Sequence, residues 1–258
     1  MIELRIAEGC GPTGRLLQNL LRGQGCRVIP VTDFHEPGNA TLCWGAGYRG
    51  NLPALNRNCG RYNKLEQLVK LQENNITTLD AFERAPGQQE VYPLIARRLR
   101  HVAGRDIRVC LQPSDAELAQ RHFGMEFFTR FVPRHREYRV WVYRRRHLGS
   151  YEKILAHPER NRFFGCNYRN GWAFRLLAEH EIPRAAVELA SAAVDALGLD
   201  FGAADVLLGT DGHFRILEVN TAPGVEGPDR QVIRSLARKV AKWEQLGYPR
   251  RNGDRRAD

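Results

Sequence analysis

Short apolar runs alternate with an amphipathic stretch through the first sixty residues of the chain. Apolar residues cluster at positions 2–7, 26–31 and 41–44, and helical periodicity spans positions 13–21. Short strands that alternate with a helix are typical of an α/β layer. The pattern therefore predicts a small N-terminal α/β unit.

Two further helices, and a strand with one polar and one apolar face, are predicted in the rest of the chain. One helix follows Asn63, with apolar residues at positions 65, 68, 69 and 71. Another begins at Pro183 and ends at Gly198, with apolar residues at positions 187, 190, 194 and 197 on one face. Between these helices, alternation places Glu137 and Arg139 on one face of a strand and Tyr, Val and Val at 138, 140 and 142 on the other.

A hairpin is predicted near the C-terminal end. Two apolar-rich runs, positions 201–208 and 213–219, flank an Asp-Gly dipeptide at 211–212, which is typical of tight hairpin turns. If this dipeptide forms a two-residue turn, the residues beside it pair with each other. Counting back along both strands then places Asp205 directly opposite Glu218.

The hairpin carries the chemistry of a magnesium site. The amide of Asn220 shares the face of Glu218, whereas Val206, Leu217 and Val219 lie on the opposite face. Two carboxylates and an amide oxygen form the hard oxygen set that suits magnesium. Without a cation the two facing anions would repel each other. The alternative is an ordinary half-exposed hairpin with solvated acids.

The strings LDFGAADV at 199–206 and LEVNTAPG at 217–224 resemble the C-terminal signature of ATP-grasp carboxylate-amine ligases. D-alanine:D-alanine ligase and the ribosomal-protein glutamate ligases have similar strings. The pattern is most similar to that of phage and prophage ATP-grasp proteins described as amidoligases. The resemblance covers about residues 61–227, and its specific part is the terminal block.

The resemblance assigns roles to the residues of that block. It implies that Asp205, Glu218 and Asn220 hold magnesium. It also implies that the backbone from Thr221 to Gly224 faces the substrate.

Phosphate contacts are implied nearer the N-terminus. Lys64 corresponds to the first ATP-phosphate lysine of the family, with a solvated helix lysine as the alternative. Residues 92–107 are similar to the hairpin that closes over the triphosphate, with Gly104 in its loop and either Arg97 or Arg98 as the phosphate contact. An ordinary surface hairpin is the alternative for this segment.

The run from EFFTRFVP into REYRVWV resembles the linker between the two ATP-grasp lobes. The resemblance implies that backbone groups of Arg130, Phe131 and Val132 contact the adenine and that Glu137 binds the ribose hydroxyls. Arg139, on the face of Glu137, would bind an acyl phosphate bidentately. The alternative for Arg139 is a cross-strand salt bridge.

Lys153 lies on the next predicted strand and is a catalytic candidate beside Arg139. The loop NYRNGW at 167–172 is similar to the family loop in which Asn167 and Asn170 lie near the phosphates and a second magnesium ion. Asn-Gly is also a generic turn dipeptide, so a plain turn is the alternative.

The composition is that of an ordinary globular protein. With 258 residues, 43% hydrophobic and 26% charged, the chain can bury one or two cores. No run approaches the roughly 18 apolar residues of a membrane span, and the N-terminus lacks the apolar core of a secretory signal. We therefore expect a cytoplasmic protein without membrane contact. Six cysteines without C-x-x-C spacing are expected to be reduced.

The net charge of +10 favours anionic partners. ATP is one such partner, and an acidic peptide or a nucleic acid is another. The basic residues are spread through the chain rather than gathered in long runs, which disfavours nucleic acid.

Together with the resemblance, these patterns predict an α/β (α+β) chain with the ATP-grasp fold. The predicted parts are an N-terminal domain at 1–60, lobes at 61–125 and 126–245, and a tail at 246–258. The predicted function is ATP-dependent ligation of a small-molecule or peptide carboxylate to an amine through an acyl phosphate, with ATP and Mg²⁺ or Mn²⁺. A kinase of the same fold and a non-catalytic basic nucleic-acid-binding protein are the alternatives.

Overall fold

A computed structural model describes residues 1–7, 10–30, 39–99, 107–160, 170–224 and 230–249. These ranges contain five α-helices and thirteen β-strands. The strands form three sheets that follow one another along the chain. None of the helices in these ranges is long and apolar enough to cross a membrane.

The first sheet is parallel and has the strand order β2-β1-β3-β4. Its elements are β1 (Ile2–Ile6), α1 (Gly11–Arg22), β2 (Val28–Pro30), β3 (Ala40–Trp44) and β4 (Ala54–Leu55). Leu17 and Leu21 on the inner face of α1 are buried against this sheet. The C-terminal helix α5 (Gln231–Gln245) packs beside α1 on the same core. A helix from the predicted second lobe therefore covers the first sheet.

The second sheet is antiparallel, with the strand order β5-β8-β6-β7. Its elements are β5 (Ala81–Phe82), β6 (Leu94–Arg97), β7 (Arg108–Cys110), α3 (Pro113–Phe123) and β8 (Phe127–Arg130). Apolar side chains of β6 and β8 pack against α3. The segment predicted to form the glycine-containing hairpin ends at residue 107, and residues 100–106 lie outside the described residues. Strand β7, which pairs with β6, begins at Arg108, one residue after that segment.

The third sheet is antiparallel, with the strand order β11-β10-β9-β12-β13. Its strands are β9 (Arg134–Tyr143), β10 (Arg146–Leu155), β11 (Trp172–Leu177), β12 (Phe201–Gly209) and β13 (Phe214–Asn220). Helices α2 (Lys64–Glu73) and α4 (Arg184–Ala196) supply buried side chains to the core on one face of this sheet. Tyr138, Val140 and Val142 belong to that core, as the alternation on β9 predicts. The opposite face carries the polar side chains of the candidate site together with apolar ones such as Trp141, Tyr143 and Phe201, which pack into the core of the first sheet.

The connection between β12 and β13 is longer than the sequence predicts. Strand β12 ends at Gly209 and β13 begins at Phe214, so residues 210–213 join the strands instead of residues 211 and 212 alone. Arg215 donates to both carboxylate oxygens of Asp211, at 3.0 and 2.6 Å, and the backbone N–H of His213 also donates to this carboxylate. These bonds to the Asp211 side chain stabilise the wider loop.

A β-bulge restores the predicted pairing of the two acids. The register shifts between Asp205 and Val206, and Asp205 lies opposite Glu218 as expected. Because the bulge inserts one residue into β13, Ile216 is buried with Val206, whereas Leu217 is only partly buried. The predicted place of Leu217 in the core is therefore wrong.

Asn56 fastens the chain after β4 to the start of β12. Its side chain accepts a hydrogen bond from the Phe201 N–H at 2.8 Å and donates one to the Phe201 carbonyl at 2.8 Å. The Asn56 N–H donates to Asp200 at 2.8 Å. The residue is fully buried and has a φ of 58°, which asparagine tolerates better than most residues.

We predict that Asn56→Ala lowers the free energy of unfolding by about 3 kcal/mol, because it leaves buried backbone groups without partners and places alanine at positive φ. Urea denaturation measures this change. Asn58→Ala is the matched control, since its amide makes one exposed bond to Gly198 at 3.2 Å. Equal losses in the two variants would contradict this account of Asn56.

Candidate active site

Charged side chains from four strands meet on the face of the third sheet that is turned away from α4. Glu137 and Arg139 come from β9, Lys153 from β10, Asp205 from β12 and Glu218 from β13. On β9, these residues alternate with the buried apolar side chains of the opposite face. The sheet therefore gathers five of the predicted site residues in one place.

Asp205 is bound by two cations. Arg139 donates to its two carboxylate oxygens at 2.8 and 2.9 Å, and Lys153 donates at 2.9 Å. Burial alone would raise the pKa of Asp205, which is 3% exposed, but the charges of Arg139 and Lys153 hold the pKa below its usual value. The cross-strand salt bridge considered for Arg139 is thus present, and the guanidinium uses its bidentate fork on Asp205.

Lys153 links two carboxylates. Its ammonium also donates to Glu137, at 2.5 Å. Burial would lower the pKa of Lys153, yet the charges of Asp205 and Glu137 keep the pKa above its usual value. This lysine is therefore held in its charged form at the centre of the face.

Glu218 has its own cation. Lys64 binds Glu218 Oε2 at 2.5 Å, and the Asn220 amide donates to Oε1 at 3.0 Å. Burial would raise the pKa of Glu218, but Lys64 outweighs it and holds the pKa well below its usual value. Lys64 is the first residue of α2, which begins with a capping box between Asn63 and Glu66.

The donor set of this face fits magnesium. Asp205 and Glu218 pair across neighbouring strands, and Asn220 contacts Glu218 directly. Their carboxylate and amide oxygens are hard donors of the kind that magnesium prefers, with phosphate oxygens or water completing the shell. Within the described ranges no group of three or more His, Cys, Asp and Glu side chains gathers as a metal cluster. The third protein ligand would therefore be the Asn220 amide.

The two arginines at the end of β6 have different surroundings. Burial lowers the pKa of Arg97, and the charges of Glu218 and Glu137 oppose this shift, which places Arg97 near the acidic face. The Nε atom of Arg97 is buried and makes no hydrogen bond within the described part of the chain. Arg98 instead donates to the Phe123 carbonyl at 3.1 Å. Arg97 is the better candidate for a phosphate contact.

The predicted adenine-binding linker joins β8 to β9. The N–H groups of Arg130 and Phe131 donate to the carbonyls of Asp80 and Pro93, at 2.9 and 3.0 Å. No described backbone carbonyl accepts from the N–H of Val132. Val132 is therefore the linker residue whose amide is suited to bind an adenine edge.

Arg134 and two aromatic residues of β11 complete this face and were not predicted from the sequence. Arg134 binds Glu137 at 3.0 Å and lies over the Trp172 ring at 4.5 Å. Arg139 and Lys153 lie over the Phe174 ring at 4.8 and 5.8 Å. Such cation–π contacts hold cations in place. The signal was available, since Trp172 and Phe174 are two residues apart and share one strand face.

The residues that follow β13 adjoin the first sheet. Thr221 hydrogen-bonds the Cys59 thiol, whose pKa rises to about 11 mainly because of burial. A side chain at Gly45 would lie 3.1 Å from Ala222. Gly224 follows these contacts, and Asn170 lies directly before the turn into β11.

The five cysteines in the described ranges are free thiols, as expected. Gly104 and Asn167 lie outside the described residues.

Comparison with solved structures reveals the same architecture in ATP-grasp ligases. The similar structures include ATP-grasp ligase PsnB complexed with a minimal precursor, Mg and ADP (TM-score 0.66, 13% identity, 93% of this chain and 96% of that chain). They include macrocyclase MdnC from Microcystis aeruginosa MRC bound with precursor peptide MdnA (0.67, 11%, 93% and 99%). D-alanine–D-alanine ligase from Bacillus anthracis complexed with ATP is also similar (0.63, 14%, 94% and 98%).

At these low identities the likeness concerns the fold, and the chain has the ATP-grasp fold that its sequence predicts. Comparisons with protein-family models and with curated protein sequences find no match.

We predict that Lys153→Met lowers the free energy of unfolding by about 3 kcal/mol, because it leaves buried carboxylate charge uncompensated. Lys70→Met is the control, since Lys70 pairs with Glu73 at the surface and such pairs contribute less than about 1 kcal/mol. Chemical denaturation of both variants provides the comparison. If Lys153→Met were as stable as Lys70→Met, the buried ion network would not support the fold.

Proposed function

We propose that this protein is an ATP-dependent carboxylate-amine ligase that forms an amide bond through an acyl phosphate and releases ADP and phosphate. The observation that carries the proposal is the pairing of Asp205 with Glu218 amid Lys64, Arg139 and Lys153. These groups lie in a fold shared with ligases that were solved with ATP, ADP, Mg or precursor peptides.

ATP would lie between the second and third sheets. We assign its phosphates to Lys64 and Arg97, its adenine to the linker around Val132, and its ribose to Glu137. Arg130 and Phe131 would shape the adenine pocket, and Gly104 and Asn167 remain phosphate-binding candidates from the resemblance alone. Cations around a triphosphate stabilise its binding, because the attraction between opposite charges is stronger in a partly buried site than in water.

Asp205, Glu218 and Asn220 would hold Mg²⁺, for which Mn²⁺ can substitute. When bound, the ion would neutralise phosphate charge and help to orient the triphosphate.

The reaction needs positioning rather than a nucleophilic side chain. The substrate carboxylate attacks the γ-phosphorus of ATP, and ADP leaves. The amine then attacks the acyl carbon, and phosphate leaves as the amide forms. Arg139 and Lys153 would bind the transferred phosphoryl group and the oxyanion, because both cations already point at the acidic face.

The substrate would be a peptide or small molecule that carries a carboxylate, with an amine as its partner. The backbone from Thr221 to Gly224 would face it, and the first sheet, which Thr221 contacts through Cys59, would form the other wall. The proposal includes the phage-type subgroup, a cytoplasmic location, and the division into residues 1–60, 61–125, 126–245 and 246–258. These rest on the sequence patterns.

We predict that saturating Mg-ATP raises the melting temperature, because a ligand that binds only the folded state stabilises it by about 2.7 kcal/mol at a hundredfold excess over its dissociation constant.

Glu218→Gln should fold but form ADP at least about a hundredfold more slowly, since it loses a charge that orients the phosphates. Thermal denaturation and coupled ADP release measure the two effects. An unchanged melting temperature, or near-normal turnover by the variant, would contradict the assignment.

A second experiment separates ligation from simple phosphorylation. A panel of amino acids, peptides and polyamines identifies substrates by ADP release. With the acid present and the amine replaced by hydroxylamine, the protein should yield a hydroxamate. Arg139→Lys should reduce product formation more than nucleotide binding, because lysine lacks the bidentate fork. A stable phosphorylated product without hydroxamate would instead establish the kinase alternative.

A further inference from the structure

A groove of about 570 Å³ runs between α1 and α5. Its walls carry the side-chain amides of Asn19, Gln24 and Gln231 and the guanidinium groups of Arg234 and Arg238. Leu20 and Ala237 supply apolar surface to its floor. None of the lining residues within the described ranges is acidic or aromatic.

The described residues that line the groove are either basic or uncharged. The exposed side of α5 carries four cations, namely Arg234, Arg238, Lys239 and Lys242, and Arg230 directly precedes the helix. The single carboxylate of α5, Glu244, lies 3.3 Å from the N-terminal ammonium. Helix α1 contains no acidic residue. Like charges on one helix face repel one another, so an anionic partner would relieve this repulsion.

Arg234 and Arg238 differ from several arginines elsewhere in the molecule, which pair with carboxylates. Neither forms an ion pair with a carboxylate in the described ranges, and Arg238 donates to the neighbouring Ser235 hydroxyl at 3.1 Å. By contrast, Arg175 binds two glutamates and Arg215 binds Asp211. The two groove arginines are one helical turn apart, so their guanidinium groups can bind successive carboxylates of one chain.

The chemistry of the groove matches a peptide better than a nucleic acid. Amide side chains such as those of Asn19 and Gln24 can both donate to and accept from a peptide backbone. Binding of a single-stranded nucleic acid commonly uses aromatic rings on which bases stack, and this groove has none. In the sequence, the groove residue Gln231 follows Gly224, the end of the segment that we assign to the substrate, by seven positions.

We propose that the α1–α5 groove binds an acidic peptide segment of the substrate and thereby holds the peptide near the catalytic face. The identity of this peptide as a substrate rests on the proposed function; the binding itself does not. The substrate class is accordingly a peptide with a run of Asp or Glu residues outside the reacting group.

The test is fluorescence anisotropy with a labelled oligoglutamate peptide, without nucleotide, on the full chain. The wild type should bind it saturably and should not bind the matched oligoglutamine. The double variant Arg234→Gln/Arg238→Gln should bind about tenfold more weakly or worse, because it loses two charge-assisted contacts.

Lys239→Gln/Lys242→Gln is the matched control, since it removes the same charge from the same helix outside the groove and should bind within about twofold of the wild type. Equal weakening in both double variants would overturn the proposal in favour of non-specific attraction. Tighter binding of single-stranded DNA of equal charge, or no saturable binding of oligoglutamate, would overturn it as well.

Stabilisation by Mg-ATP, measured on the same variants, separates this inference from the proposed function. Both double variants should respond to Mg-ATP as the wild type does, because none of the four substituted residues belongs to the acidic face. If oligoglutamate fails to bind while Mg-ATP stabilises the protein, the groove proposal is wrong and the ligase proposal stands. If the peptide binds and Mg-ATP has no effect, the groove proposal stands and the ligase proposal fails.

Discussion

Two carboxylates that face each other across one hairpin, Asp205 buried and Glu218 partly buried, are the constraint on which the rest of this structure depends. Asp205 and Glu218 lie on paired strands, and their charges would repel each other in a buried setting. Arg139, Lys153 and Lys64 neutralise them at 2.5 to 2.9 Å. Because these cations come from β9, β10 and α2, the requirement for neutrality ties those elements to the hairpin.

The same arrangement suits the nucleotide that we propose for this cleft. ATP and a divalent cation together bring both signs of charge, so each carboxylate and each cation can exchange its partner without leaving a buried charge unpaired. Phe174 supports this exchange because its ring contacts Arg139 and Lys153 whichever anion they bind. Arg97, whose buried Nε makes no hydrogen bond within the described residues, would give the cleft a further cation for the proposed phosphate. The network therefore contributes both to stability and to the proposed chemistry.

Much of the third sheet and of its charged face could be predicted from the sequence, because both depend on local rules of strand geometry. The period of two on β9 fixes which side chains share a face, and the acidic pair on the C-terminal hairpin follows from strand pairing. The two-residue turn was predicted incorrectly, since Asp211 binds Arg215 and the loop is wider. A bulge at Leu217 shifts the register back, so Asp205 still lies opposite Glu218 as predicted. Bulges depend on packing on both faces of a sheet, which a single strand does not encode.

Long-range packing explains what the sequence did not predict. The packing of α5 beside α1 brings together residues more than two hundred positions apart, and no local pattern indicates that contact. Nor does any local pattern pair Asn56 with Phe201. Trp172 and Phe174 are a different case, because their spacing on β11 was visible and only their cationic partners were not. The roles of Gly104 and Asn167 rest on the resemblance alone.

The most direct test of this account is a crystal structure with Mg²⁺ and a non-hydrolysable ATP analogue. We expect the triphosphate to contact Lys64 and Arg97, and the metal to lie about 2.1 Å from oxygens of Asp205 and Glu218. The Arg139 fork should then have left Asp205 for a phosphate oxygen. A nucleotide bound elsewhere, or intact Arg139–Asp205 and Lys64–Glu218 pairs without metal beside a bound nucleotide, would contradict the account.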